Sequence, residues 1–120
     1  MSWQEHPDCP PTGTRLCSIA EIPDNGGHEV AFGEGKERLR FLLLRQGDSY
    51  WSYLNNCPHF SLPLNYQPNT FVTMDAMVIC AHHTAFFNFS DGECVDGPCA
   101  GTGLTAVPTR REGADIFLNH

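Results

Sequence analysis

Apolar and polar residues in this chain fall into short runs broken by turn residues, with a period nearer two than 3.6. Thr14 to Ala20 alternates loosely, and His28 to Phe32 forms a second run set off by Asn25-Gly26-Gly27. Gly33 to Gly35 makes a turn. Leu39 to Arg45, LRFLLLR, reads as a buried strand, and Gln46-Gly47-Asp48 ends it. Ser49 to Leu54, SYWSYL, pairs with it as a hairpin. Phe60 to Thr70, with two prolines and two asparagines, reads as loop. Ala76 to Ile79 is a short apolar strand. Ala85 to Phe89 and Glu93 to Val95 form a hairpin about Ser90-Asp91-Gly92, and Asp96 to Gly103 is loop. Leu104 to Pro108 and Ala114 to Leu118 read as closing strands around Arg110 to Gly113. No stretch carries a sustained helical period. The expected class is all-β, a small barrel or sandwich of antiparallel strands.

Length changes this picture little. With 120 residues, one domain is expected, able to bury roughly two-thirds of its unfolded surface. Residues 1–13, rich in Pro and polar groups, read as an irregular arm, and 14–120 as the single domain. Charge narrows the partners. Fourteen acidic against seven basic residues give a net charge of −7, which repels phosphate backbones and argues against nucleic acid. Two readings suit the balance: a protein partner with a basic docking face, and acidity that serves solubility alone. The N-terminus lacks a basic region followed by an apolar stretch, and Phe41 to Leu44 is far too short to span a bilayer. No membrane association and a cytoplasmic location are expected. In that compartment the six cysteines read as metal ligands or thiols rather than a disulfide framework.

The candidate chemistry lies in two short segments, Cys57-Pro58-His59 and Cys80-Ala81-His82-His83. They read C-x-H and C-x-x-H, separated by twenty residues, and both follow expected strands. A rigid sheet can thus hold two loops facing each other, each offering a thiolate and an imidazole. Zinc accepts the same four donors, and so does an iron centre. The zinc reading is weakened by the long separation and by the absence of the helix a zinc finger carries.

From Trp51 to Val107 the chain resembles a Rieske [2Fe-2S] domain, on the stretches NNCPHFSLPLNY, MVICAHHTAFFNFSDGECVDGPCAG and LTAVP. The resemblance implies one [2Fe-2S] cluster per chain, a cluster-binding subdomain of two loops within about residues 55–103, and four ligands. Cys57 and Cys80 would hold one iron, His59 and His83 the other. Gly97-Pro98 stands where the family has a loop covering the cluster. Charge explains the mixed set. Two ferric ions and two sulfides with four thiolates carry −2, but with two thiolates and two neutral imidazoles carry zero. A neutral centre takes an electron more readily, consistent with Rieske potentials of about −150 to +300 mV against about −400 mV for plant-type ferredoxins. Leu62 and His82 stand where the high-potential branch has an extra cysteine pair, and Ala85 and Phe87 where it has hydroxyls near the sulfurs. Both departures imply the low-potential, ferredoxin-like branch.

Other residues have more ordinary readings. His82 fits a solvent-facing neighbour of His83, and Asp91-Gly92 a simple turn. Cys94 and Cys99 could bridge or bind metal, but buried thiols are expected; Cys9 and Cys17 read likewise. His6, His28 and His120 read as surface residues. Phe60, Leu62 and Pro63 form either minor core or an exposed apolar rim for docking.

The function implied is one-electron transfer between a reductase and an oxygenase or other redox enzyme, with no substrate transformed by this chain and no catalytic residues. The alternatives are a small Rieske subunit of a larger enzyme such as a nitrite reductase, and a Cys2His2 zinc-binding structural protein.

Overall fold

The computed structural model describes residues 3–35, 38–58, 62–65, 67, 69–81, 85–97 and 100–119. Its described strands are β1 (Arg15–Ser18), β2 (Gly26–Phe32), β3 (Leu39–Gln46), β4 (Ser49–Leu54) and β5 (Val72–Met74), followed by β6 (Met77–Ile79), β7 (Phe86–Asn88), β8 (Cys94–Asp96), β9 (Thr109–Glu112) and β10 (Asp115–Leu118). They build three antiparallel sheets, ordered β1-β10-β9, β2-β3-β4 and β5-β6-β7-β8. The all-β expectation holds.

β3 explains how three small sheets make one structure. Side chains alternate across a strand, and here both faces are buried. Phe41 and Leu43 enter a base core with Leu16, Cys17, Ile22, Val107, Ile116 and Leu118. Leu42 and Leu44 enter a second core with Tyr53, Leu64, Val78, Phe87 and Phe89. β4 follows the same rule. Trp51 and Tyr53 face the second core, opposite Leu44 and Leu42, while Tyr50 and Leu54 face the base. The unbroken apolar run of β3 is therefore the wall between two cores. Burying a leucine on each face contributes about 1.5–3 kcal/mol per side chain.

Tyr53 ties the third sheet to this wall. Its hydroxyl donates to the carbonyl of Phe89 at 2.5 Å, and its backbone bridges Ala106. The Asp91-Gly92 turn packs on its ring. Gly92 has φ +72, and a Cβ there would lie 2.7 Å from Tyr53 Cε1. The turn is thus part of the packing.

The structure differs from the sequence expectation at several points. The first strand stops at Ser18, and a 3-10 turn follows at Ile19–Glu21, because the Glu21 carboxylate accepts the Ser18 N–H at 2.6 Å. Ala76 is not in a strand: Asp75 and Ala76 form a two-residue turn at φ 50 and 58, and β5 precedes it. Of residues 104–108, only Ala106 forms a bridge; the segment runs beside β4 through Leu54 N–H to Thr105 O and Val107 N–H to Ser52 O. The closing hairpin is β9–β10, so Arg110 to Glu112 lie in a strand rather than between strands. In the N-terminal arm, Trp3–Glu5 is a 3-10 turn, and Trp3 packs edge-on against Phe41 with ring centroids 5.5 Å apart.

Candidate metal centre

The second core delivers the two cysteines. Cys57 lies three residues beyond the end of β4, and Cys80 immediately follows β6. Both are fully buried and belong to the same core, beside Leu64 and Ala85. His59 and His83 lie outside the described residues, as do Phe60, His82, Pro98, Cys99 and His120.

The two loops are closed in the same manner. The Cys57 N–H donates to the carbonyl of Leu62 at 2.7 Å, and the Cys80 N–H to that of Ala85 at 2.9 Å. Each cysteine thus starts a loop whose backbone returns to it five residues later. The loops are also tied to each other, because the Ala81 N–H donates to the carbonyl of Leu64 at 2.8 Å.

A polar network supports the first loop from beneath. Asn55 is 3% exposed. Its side-chain amide donates to Glu29 Oε2 at 2.6 Å and to Asn65 Oδ1 at 2.8 Å, and its oxygen accepts the Leu64 N–H at 2.8 Å. Glu29 is held by Arg40, whose Nη1 donates to both carboxylate oxygens at 3.0 and 3.1 Å. Farther along, Asn69 Oδ1 accepts the Glu29 N–H at 2.7 Å. The long loop between the two ligand segments is thereby fastened to β2. Sequence reasoning did not single out Asn55, Glu29, Arg40 or Asn69. An asparagine directly after a strand reads as a turn residue, and only the fold brings an ion pair against it.

The remaining candidates fall into place. Leu62 is 43% exposed, which favours the rim reading over the core reading for this residue. Ala85 and Phe87 are fully buried in the core that holds both cysteines. Gly97 adopts φ +100, a conformation glycine favours, and its carbonyl accepts the Ala100 N–H at 3.2 Å. Cys94 is a buried thiol donating to the carbonyl of Asp96 at 3.3 Å. Cys17 lies in the base core, not in the core that holds Cys57 and Cys80.

The donor set suits a mixed thiolate and imidazole centre. Two thiols, withdrawn from water on loops bonded to each other, are each followed within three residues by a histidine. Burial in an apolar core fits a redox cofactor that must be shielded from solvent.

These features are those of an iron-sulfur domain built on antiparallel sheets. The family model for the Rieske [2Fe-2S] domain matches residues 13–110, and the chain belongs to that family, whose cofactor is a [2Fe-2S] cluster. Solved structures agree in fold. The ferredoxin of carbazole 1,9a-dioxygenase from Nocardioides aromaticivorans IC177 superposes with a TM-score of 0.68 at 20% identity, covering 91% of this chain and 98% of its own. The Sphingomonas yanoikuyae B1 ferredoxin gives 0.65 at 20% identity, covering 90% and 98%. A chain from the complex of reduced oxygenase and oxidized ferredoxin in carbazole 1,9a-dioxygenase gives 0.69 at 15% identity, covering 88% and 90%. No curated protein sequence matches the chain. Among the described residues no helix is long and apolar enough to cross a membrane.

Proposed function

We propose that this chain is a one-electron carrier of the Rieske ferredoxin type, acting between a reductase and an oxygenase or similar redox enzyme. Cys57, His59, Cys80 and His83 are the ligands of a single [2Fe-2S] cluster in this reading. Residues 14–120 form one domain, with the cluster-binding part at about 55–103. The chain transforms no substrate itself and acts in the cytoplasm.

The observation that carries the reading is the pair of fully buried cysteines on two mutually bonded loops, within a chain that the Rieske match fills from 13 to 110. The bound cluster would supply reversible one-electron chemistry. The protein's own part is to hold the ligands and exclude water. Cys57 and Cys80 are shielded by Leu64, Val78, Ala85 and Phe87. The exposed Leu62 gives the first loop an apolar rim beside its ligands, suited to close approach of a partner. The similar structures, the ferredoxin of a carbazole 1,9a-dioxygenase and a complex of oxygenase and ferredoxin, support a partner of that kind.

The test is spectroscopic and then kinetic. The purified chain should be red-brown, show the absorption of a [2Fe-2S] centre, and give a reduced-state EPR signal with the average g value of mixed Cys-His ligation. Reduced protein should then pass one electron per chain to a Rieske oxygenase. A colourless protein holding one zinc would overturn the reading.

A further inference from the structure

Asn55 is buried, and both its amide nitrogen and its amide oxygen are hydrogen-bonded. An asparagine serving only as a turn cap needs its oxygen alone, to take the Leu64 N–H. Here both amide hydrogens are also used, one on Glu29 across the fold and one on Asn65. The Asn55 backbone N–H donates in turn to the carbonyl of Arg40 at 3.0 Å. Asn55 and Leu64 bracket the segment that carries Cys57 and His59, and the Leu64 carbonyl accepts from Ala81, the residue after Cys80. A continuous path of hydrogen bonds therefore runs from the Glu29–Arg40 pair through Asn55 and Leu64 to the second loop.

We propose that Asn55 is a positioning residue for the metal centre, clamped by the Glu29–Arg40 pair so that both ligand loops keep one fixed spacing. The proposal rests on the metal-centre reading above. The geometry asks for a neutral amide at 55. A carboxylate there would face the Glu29 carboxylate and lose the donor to Asn65, while a methyl group would leave the Leu64 N–H and a Glu29 oxygen without this partner. Groups bonded directly to a metal ligand are typically worth about 10–100-fold in metal affinity, which is the upper bound for a residue acting one bond further away.

Four proteins test this: the parent, Asn55→Ala, Asn55→Asp, and the double variant Asn55→Asp with Glu29→Gln. The double variant exchanges amide and carboxylate between the two positions and restores the charge balance against Arg40. Each loaded protein is challenged with an iron chelator, and bleaching is followed by absorbance. Asn55→Ala and Asn55→Asp should bleach faster than the parent, by up to about 10–100-fold, and the double variant should return towards the parent rate. A parent-like rate in Asn55→Ala, or a double variant no slower than Asn55→Asp, overturns the proposal. Where Asn55→Ala does not fold, the comparison of Asn55→Asp with the double variant decides. A colourless, zinc-holding parent would sink the carrier reading, and zinc release from the same four proteins would then judge the clamp on the same terms.

Discussion

The backbone N–H of Ala81 donates to the carbonyl of Leu64 at 2.8 Å, joining the residue after Cys80 to the far end of the loop that begins at Cys57. Leu64 is 1% exposed, so its side chain locks that joint into the second core. Leu64→Ala should cost about 2–5 kcal/mol, read as a lowered urea midpoint, and should hasten loss of the metal centre to a chelator. Stability equal to the parent would show that the joint does not depend on this side chain.

Gly92 has φ +72, and its missing side chain makes room for the Tyr53 ring. Gly92→Ala adds left-handed strain of about 1–2 kcal/mol and pushes on the ring whose hydroxyl holds Phe89. Tyr53→Phe removes only that hydrogen bond, a net loss of about 0.5–1.5 kcal/mol. Thermal unfolding should therefore rank parent, Tyr53→Phe and Gly92→Ala in falling order. A Gly92→Ala protein as stable as the parent would mean that the turn is not packed as described.

The ligand assignment is open to direct test by potentiometry. Replacing His59 or His83 by cysteine adds a negative donor, so each variant should titrate at a lower potential, moving towards the all-cysteine range of about −400 mV. An unchanged potential in a loaded variant would remove that histidine from the ligand set. Ala85→Ser places a hydroxyl in the core that holds both cysteines. It should raise the potential modestly by hydrogen bonding near the cluster, and no shift would place Ala85 away from the sulfurs.

Alkaline pH should weaken the base core through Cys17. Burial, with the Glu21 carboxylate adding to it, pushes this thiol up from 9.0 to about 11. The unfolded chain releases the proton near its ordinary value, whereas the native state keeps it for about two further units. Between pH 9 and 11 the unfolded state binds fewer protons, so stability falls as pH rises. The contribution is fully present below pH 9, and its loss by pH 11 is at most roughly 2–3 kcal/mol. Burial of Tyr53, pushed up from 10.0 to about 12, extends the same trend. Denaturation midpoints should decline over this range, and less steeply in Cys17→Ala. An equal slope would mean that Cys17 is not the titrating group.

Strand after strand was legible where the pattern was strong. LRFLLLR announced a buried strand, and β3 is that strand, buried on both faces. The misses have local causes. The β5–β6 turn uses Asp75-Ala76 at positive φ, where asparagine and glycine would have advertised it. β9, with the sequence TRRE, has no buried residue and so carries no apolar signal. The strand before Ile19 ended early because a Ser and a Glu three apart closed a turn, a short-range cue outweighed by the loose alternation around it.

The sequence by itself determined the all-β class, the buried strand at Leu39 to Arg45, and the two Cys-His segments, because alternation and ligand spacing are local properties of the chain. Only the tertiary structure decided that Cys57 and Cys80 share one core, that their loops are bonded through Leu64 and Ala81, and that Asn55 is clamped by Glu29 and Arg40. Those partners lie 11 to 26 residues apart in sequence, and a buried polar contact across such distances leaves no periodic trace. It exists because an amide buried at the end of β4 must find its hydrogen bonds wherever the fold supplies them.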